Sequence, residues 1–386
     1  MSNSDIRVVP GPANYFSHPG SLARLSDFFN ADQLSRAVWV YGERALAGAE
    51  PFLPAAFHLP EAKNIRFTGH CSERDVAGLV QASGDDRAVV IGVGGGALLD
   101  SAKVLARRLG VPLVAIPTIA ATCAAWTPLS VWYSDAGQAL NFEIFDDANF
   151  LVLVEPRIIL NAPAEYLLAG IGDTLAKWYE AVVLAPQPEA LPLTVRLGIN
   201  GAQAIRDVLL ASSETALADQ RRGDLTQAFR DVVEAIIAGG GMVGGLGERY
   251  TRVAAAHAVH NGLTVLPQTD KFLHGTKVAY GILVQSALLG QDDVLAQLVQ
   301  AYQRFNLPTT LAALEVDINN RAELDRVIAH TLRPGESIHY LPVTLTPRFC
   351  ARRLRRWNTS AVNHPDRLYL MMMLTTLATR SSCRSI

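Results

Sequence analysis

Short apolar runs alternate with amphipathic stretches over the first 160 residues, and then the alternation stops. AVWVYG (37–42), AVVIGVG (88–94), LVAIPT (113–118) and FLVLVEP (150–156) read as buried strands. Between them, SERDVAGLVQAS and ALLDSAKVLARRLG carry helical spacing. Strand, helix, strand in succession implies a parallel sheet with helices on both faces. From about Pro163 only helical spacing remains, in AEYLLAGIGDTLAKWYEAVV, LPLTVRLGINGAQAIRDVLLAS, LTQAFRDVVEAIIAGG and KVAYGILVQSALLG. The expected architecture is an α/β domain over residues 1–160 with a Rossmann-like parallel sheet, followed by an all-α domain over 161–347. The junction falls at RIILNAP (157–163), without a low-complexity linker.

Length and charge narrow the function. At 386 residues, 49% apolar and 18% charged, the chain has ample core for two domains. A net charge of -2 gives no bulk attraction to nucleic acid or to an anionic membrane, so neither is an expected partner. MSNSDIRVVPGP lacks the basic-then-apolar pattern of a signal peptide. No apolar run approaches the ~20 residues that span a bilayer. Cys71, Cys123, Cys350 and Cys383 lack paired spacing, which fits a reducing compartment. A cytoplasmic enzyme is expected.

The end of the chain differs from the rest. Residues 348–386 hold eight Arg, no Lys and a single acid, Asp366. Without them the chain has 26 basic and 35 acidic residues, a net charge of -9. This atypical basic tail is expected to be disordered and outside any active site, and a shifted reading frame would produce such a composition.

IGVGGGALLDSAK (91–103) has the layout of a phosphate-binding turn: a strand ends in Gly94-Gly95-Gly96 and a helix begins. Glycines let the backbone approach a pyrophosphate, and the helix start supplies N–H groups and partial positive charge. The turn is neither GxGxxG at the usual first strand nor a Walker loop, and a tight strand-to-helix connection reads the same way. The next strand ends in PTIAATCAAWTPLS, which suits the second wall of a nucleotide cleft. GGGMVGGLG (239–247) has no strand before it and reads as close helix packing.

Three polar islands lie in the apolar helical half. Asp173 has Ile171, Leu175, Ala176 and Trp178 as neighbours, where a carboxylate is costly unless paired, capping or bound to a cation. His257 and His260 share a helix face, and His274 follows fourteen residues later in HG. One such His is more often a satisfied core residue than a ligand. Together with Asp173 the set suits a divalent metal, Zn²⁺ before Fe²⁺ or Mn²⁺.

GVGGGALLDSAK, PTIAATCAAWTPLSVWY, AGIGDTLAKWYEA, AAAHAVHNGLT and HGTKVAYGIL, in this order, resemble motifs of the glycerol dehydrogenase branch of the iron-containing alcohol dehydrogenase superfamily. The resemblance runs from about residue 6 to Pro347. It implies a dehydroquinate synthase-like fold with a nucleotide domain and a helical metal domain. It also implies metal ligands at Asp173, His257 and His274, and a place near the nicotinamide for His260, which could relay a proton. Gly94, Gly95, Gly96, Ala97, Asp100, Thr118, Ala121, Thr127, Leu129 and Tyr133 would meet the cofactor.

Cys123 departs from the pattern. It stands where glycerol dehydrogenases carry an Asp that meets the glycerol hydroxyls. Losing that anion weakens polyol binding and removes repulsion toward a carboxylate. GPANYFSHPG, LSRAVWVYGER and LAPQPEALPLTVRLGIN bring the chain near a branch member acting on hydroxycarboxylates. The expectation is hydride transfer between NAD(P)H and a small 2-oxo acid of the 2-oxoglutarate or 2-oxobutyrate type. The alternative is an NAD-dependent glycerol or diol dehydrogenase. After AVWVYG, Glu43 would favour NADH through a ribose hydroxyl, and Arg44 would favour NADPH through a 2′-phosphate. The resemblance tips the choice toward NADPH. A homo-oligomer is expected.

Overall fold

A computed structural model of the chain describes residues 6–135 and 137–363, without the side chains of 360–363. The first half runs β1 (Asn14–Ser17), α1 (Leu25–Phe28), α2 (Ala31–Ser35), β2 (Ala37–Tyr41), α3 (Glu43–Ala49) and β3 (Lys63–Arg66). It continues with α4 (Glu73–Ser83), β4 (Val89–Gly94), α5 (Gly96–Leu109) and β5 (Leu113–Pro117). Then come β6 (Leu129–Tyr133), β7 (Ala139–Ile144) and β8 (Leu151–Val154). Six strands form one parallel sheet in the order β1-β8-β5-β4-β2-β3. All four strands expected from the sequence are in it. β6 and β7 make a separate antiparallel hairpin.

The strand order reverses between β2 and β4. The chain steps outward from β2 to β3, returns to β4 on the other side of β2, and moves on to β5. In such a sheet, the crevice at the carboxyl ends of the strands flanking the reversal receives the ligand. Gly42 and Gly94 lie at those ends, and the Gly42 N–H donates to Val93 O (3.4 Å). Beneath the sheet, Trp39, Val89, Ile91, Val114, Ile116, Leu151 and Leu153 pack with Leu22, Leu25, Phe29 and Phe57 into one buried core.

After β8 the structure is helical: α6 (Pro156–Leu160), α7 (Ala164–Leu184), α8 (Leu193–Arg222) and α9 (Gln227–Glu234). A π-turn at Ala235–Gly239 joins α9 to α10 (Gly240–Gly247). The remaining helices are α11 (Ala255–Leu263), α12 (His274–Leu289), α13 (Asp292–Phe305), α14 (Arg321–Thr331) and α15 (Pro347–Asn363). The fold is an α/β nucleotide-binding part followed by a helical part, as the sequence implied.

Compact units and the last described helix add detail that periodicity does not specify. The strands end near residue 160, but the compact units divide elsewhere. One unit holds the chain up to Thr174 together with Gln187–Thr251; the other holds Leu175–Pro186 and the chain from Arg252 onward. The reason is packing in the first unit. Gln220 Nε2 donates to Ile159 O (3.1 Å) and Ala162 O (3.0 Å), and the Val9 N–H donates to Gly245 O (3.2 Å). The tail expected to be disordered is helical over its first part. α15 buries Cys350, Leu354 and Trp357 at helical spacing and leaves Arg352, Arg355 and Arg356 exposed. Asn358 accepts from the Leu311 N–H (2.6 Å) and donates to Tyr280 Oη (2.9 Å). Residues 364–386, the rest of that tail, lie outside the described residues.

Candidate active site

The glycine turn follows β4 directly. Gly95 is the extended N-cap of α5, and Gly96 starts the helix. No side chain caps these first N–H groups, which suits them to an anion. The Thr118 N–H donates to Gly94 O (3.1 Å), so the wall after β5 begins beside the turn. Ala97 is exposed, while Ala121, Thr127 and Leu129 are half-buried. Tyr133 stacks on His70 at 5.7 Å, and its N–H donates to Cys71 O (2.9 Å). Glu43 and Arg44 are exposed at the start of α3, next to the turn across the strand reversal. Glu43 pairs with Arg66, a residue the sequence reading did not single out.

Asp100 faces inward. Its Oδ1 accepts from Lys103 Nζ (2.9 Å) and its Oδ2 from the Val131 N–H (3.1 Å), while Ser130 Oγ donates to Asp100 O (2.9 Å). Lys103 Nζ also bonds Leu129 O. Asp100 and Lys103 are both buried, and together they fix α5 against the first residues of β6. The i,i+3 spacing of DSAK was the only sequence signal for this pair.

The metal-type residues lie on α7, α11 and α12. Asp173, His257 and His274 each offer one ligand atom, and these atoms all lie within 4.8 Å of one another. Asp173 is buried, His257 half-buried and His274 exposed. The division between compact units runs through α7 one residue after Asp173. The same unbroken helix carries Glu180 two turns further on, and Glu180 fixes His257. Its Oε2 lies 2.7 Å from His257 Nδ1, and its Oε1 accepts from the N–H groups of Ala254 (2.7 Å) and His257 (3.1 Å). A fully buried carboxylate thus replaces the missing side-chain cap of α11 and orients an imidazole. Gln285 Oε1 accepts from the Ala255 N–H (3.1 Å), tying α12 to the same helix start.

A second line of hydrogen bonds orients His274. Asn261 Nδ2 donates to Glu336 Oε2 (2.9 Å), which turns Asn261 Oδ1 toward His260 Nδ1 (3.0 Å). That nitrogen therefore carries the proton, and His260 Nε2 is the acceptor for His274 Nδ1 (3.1 Å). In both His257 and His274 the contact from behind engages Nδ1, which makes Nε2 the nitrogen each ring would offer a cation. One carboxylate and two imidazoles oriented from behind fit a divalent cation that prefers nitrogen and oxygen donors. Burial, with His274 and Lys277 nearby, holds His260 well below its usual value, so it is neutral at pH 7. Lys277 is itself buried and lowered by desolvation, and its Nζ donates to Thr269 O (3.3 Å).

Comparisons with known proteins identify the family. The family described as "Iron-containing alcohol dehydrogenase" matches residues 12–156. The chain is 81% identical over 347 residues to hydroxycarboxylate dehydrogenase A of Escherichia coli (strain K12), covering 90% of this chain and 96% of that protein. It is 34% identical over 349 residues to glycerol dehydrogenase of Pseudomonas putida, covering 88% and 94%. Its fold is similar to the crystal structure of glycerol dehydrogenase from Schizosaccharomyces pombe, with a TM-score of 0.80, 28% identity and coverage of 93% and 92%. The chain belongs to the iron-containing alcohol dehydrogenase family. It is an enzyme, a dehydrogenase using a nicotinamide nucleotide on an alcohol or carbonyl carbon.

Proposed function

We propose that the enzyme transfers hydride from NADPH to the carbonyl carbon of a small 2-oxo acid, of the 2-oxobutyrate or 2-oxoglutarate type, giving the 2-hydroxy acid. The carrying observation is Cys123 in a wall, Thr118–Tyr133, that contains no charged side chain. A carboxylate substrate meets no fixed anion there, and a polyol meets no carboxylate to bind its hydroxyls. The likeness to hydroxycarboxylate dehydrogenase A supports the same product class.

When bound, a divalent metal supplies Lewis-acid polarisation of the carbonyl, and the nicotinamide supplies the hydride. Asp173, His257 and His274 would hold the metal, Zn²⁺ first and Fe²⁺ or Mn²⁺ with the same donors. Glu180 keeps the proton of His257 on Nδ1. His260 has both ring nitrogens engaged, so any proton it relays moves along the His274–His260–Asn261 line. Gly94, Gly95, Gly96 and Ala97 present backbone to the phosphates. Thr118, Ala121, Thr127, Leu129 and Tyr133 form the facing wall, and Asp100 acts by holding Leu129–Val131 in place. NADPH is favoured over NADH because Arg66 occupies Glu43 while Arg44 stands exposed beside it. A homo-oligomer in a reducing, cytoplasmic setting completes the proposal; none of Cys71, Cys123 and Cys350 forms a disulfide. No helix among the described residues is long and apolar enough to cross a membrane.

The second reading, a glycerol or diol dehydrogenase, is favoured by the glycerol dehydrogenases among its relatives. A 2-oxo acid panel with NADPH and NADH, run beside glycerol oxidation with and without added Zn²⁺, separates the two. The expected result is preferred reduction of a 2-oxo acid. Preferred oxidation of glycerol would overturn the proposal.

A further inference from the structure

The structure assigns a positioning role to Trp126: its indole, seated in a socket made by Gly11 and Gly241, sets where Cys123 stands in the substrate wall. The assignment rests on the reading of Cys123 as the residue facing substrate.

The turn itself is rigid. The N–H groups of Trp126 and Thr127 both donate to Cys123 O, at 2.9 and 3.2 Å. Movement of the indole therefore carries the thiol with it. The indole is held on several sides. Its Nε1–H donates to Pro10 O (2.9 Å), and Tyr15 meets the ring edge-on at 5.1 Å. A Cβ on Gly11 would stand 2.5 Å from three indole atoms. A Cβ on Gly241 would overlap Trp126 Cδ1 and stand 2.5 Å from Cγ. Real side chains do not approach so closely, so both positions must be glycine while the indole is seated.

The same helix receives the thiol side of the turn. A Cβ on Gly240 would lie 3.6 Å from Cys123 Cβ and 3.5 Å from Thr174 Cγ2. From α7, Gly170 leaves room for the preceding residues, since a Cβ there would overlap the Ala120 carbonyl oxygen. The loop 120–126 is thus clamped between two glycine-faced helices. The π-turn at Ala235–Gly239 sits immediately before these glycines. One extra residue per turn rotates the following helix face by about 100°. That rotation brings Gly240 and Gly241 round to the loop. The glycine run GGGMVGGLG is close helix packing, with Gly239 against Ile205 and Gly247 against Gly198 of α8, and within it Gly240 and Gly241 receive the loop that carries Cys123.

The nucleotide phosphates are anchored on backbone at Gly94–Gly96, and the loop meets that turn through Thr122 and Ala124, which lie against Gly96, rather than through the indole. Unseating the indole should therefore disturb the substrate more than the cofactor. A displacement of about 1 Å at a reacting centre can cost on the order of 100-fold.

The test is steady-state kinetics of Trp126→Ala, Trp126→Phe and Gly241→Ala, with the Kd for NADPH measured by fluorescence. In Trp126→Ala and Gly241→Ala, KM for 2-oxobutyrate should rise about 10-fold or more, and selectivity against 2-oxoglutarate should change. NADPH Kd should rise by clearly less than KM does, and Trp126→Phe, which keeps a ring but loses the N–H, should recover most of the loss. If KM and selectivity stay unchanged, or if NADPH Kd rises and Tm falls in step with the rise in KM across the set, the assignment is wrong. Should one variant fail to fold, Trp126→Phe and Gly241→Ala still decide. Failure of the substrate reading shows separately in the wild-type enzyme as glycerol oxidation without 2-oxo acid reduction. The same variants are then scored on glycerol.

Discussion

Glu180 shows how far a single side chain reaches in this enzyme. It caps α11 and holds His257 Nδ1, so its loss touches both a helix end and a proposed metal ligand. Partners of this kind typically change metal affinity by about 10–100-fold. Glu180→Gln should weaken Zn²⁺ binding by about that factor in a chelator competition; unchanged affinity would show that Glu180 serves the helix alone. At the nucleotide end, Arg66→Ala should free Glu43, raise KM for NADPH by about 10-fold and lower KM for NADH. Equal effects on both nucleotides would contradict the assignment of this corner. Asp173, His257 and His274 were legible in the sequence because each is a polar island in an apolar helix. Glu180, Lys103 and Arg66 were not. Each has a charged residue of opposite sign three or four positions away or a polar flank (Lys177 before Glu180, Asp100 before Lys103, Lys63 and Asn64 before Arg66), so local pattern alone did not mark it as a site residue. Only the tertiary structure buries the first two and gives Arg66 its partner.

At the level of elements, the parallel strands and long helices followed from periodicity, and the departures have particular causes. β3 (KNIR) is a short edge strand with little apolar content, and β7 (ALNFEI) is exposed along its whole length. Neither carries the burial pattern that marks a strand. α15 was hidden by composition: its many Arg residues obscured an apolar stripe at 350, 354 and 357. Trp357→Ala should cost about 3 kcal/mol in denaturant unfolding, as for other large core truncations. A cost below about 0.5 kcal/mol would mean that α15 is not part of the core. At the start of α6, Glu155 is fully buried and accepts from Gly20 N–H (2.6 Å), Arg157 N–H (3.2 Å) and the Arg157 guanidinium. Desolvation pushes its carboxyl up, but the Arg157 and backbone hydrogen bonds outweigh it and hold the group below the usual value of 4.5. A depressed folded value means stability that is complete above about pH 4.5 and is lost as pH falls through the folded value. Glu155→Gln should cost about 2 kcal/mol at pH 7 and flatten the acid limb of the stability curve below pH 5. An unaltered acid limb would assign that limb to other carboxylates.

Across the whole molecule, the chain places its glycine turn at the strand reversal of a parallel sheet and its metal-type donors on three helices. The sequence carried both sets because each depends on local pattern: glycines after a strand, and isolated polar groups on apolar helices. The division into compact units was not legible, because it depends on which helices pack against the α/β part, and amphipathicity does not name the partner. The family accounts for dehydrogenation, and the proposed preference for 2-oxo acids rests on Cys123 in an uncharged wall. The most direct measurement is metal-dependent reduction of 2-oxobutyrate by the Zn²⁺-loaded wild-type enzyme and by His274→Ala, with NADPH binding measured on both. The account predicts turnover in the wild type, near-complete loss in the variant, and NADPH affinity within about two-fold. Turnover that survives His274→Ala, or nucleotide binding that is lost along with it, would contradict the placement of the metal.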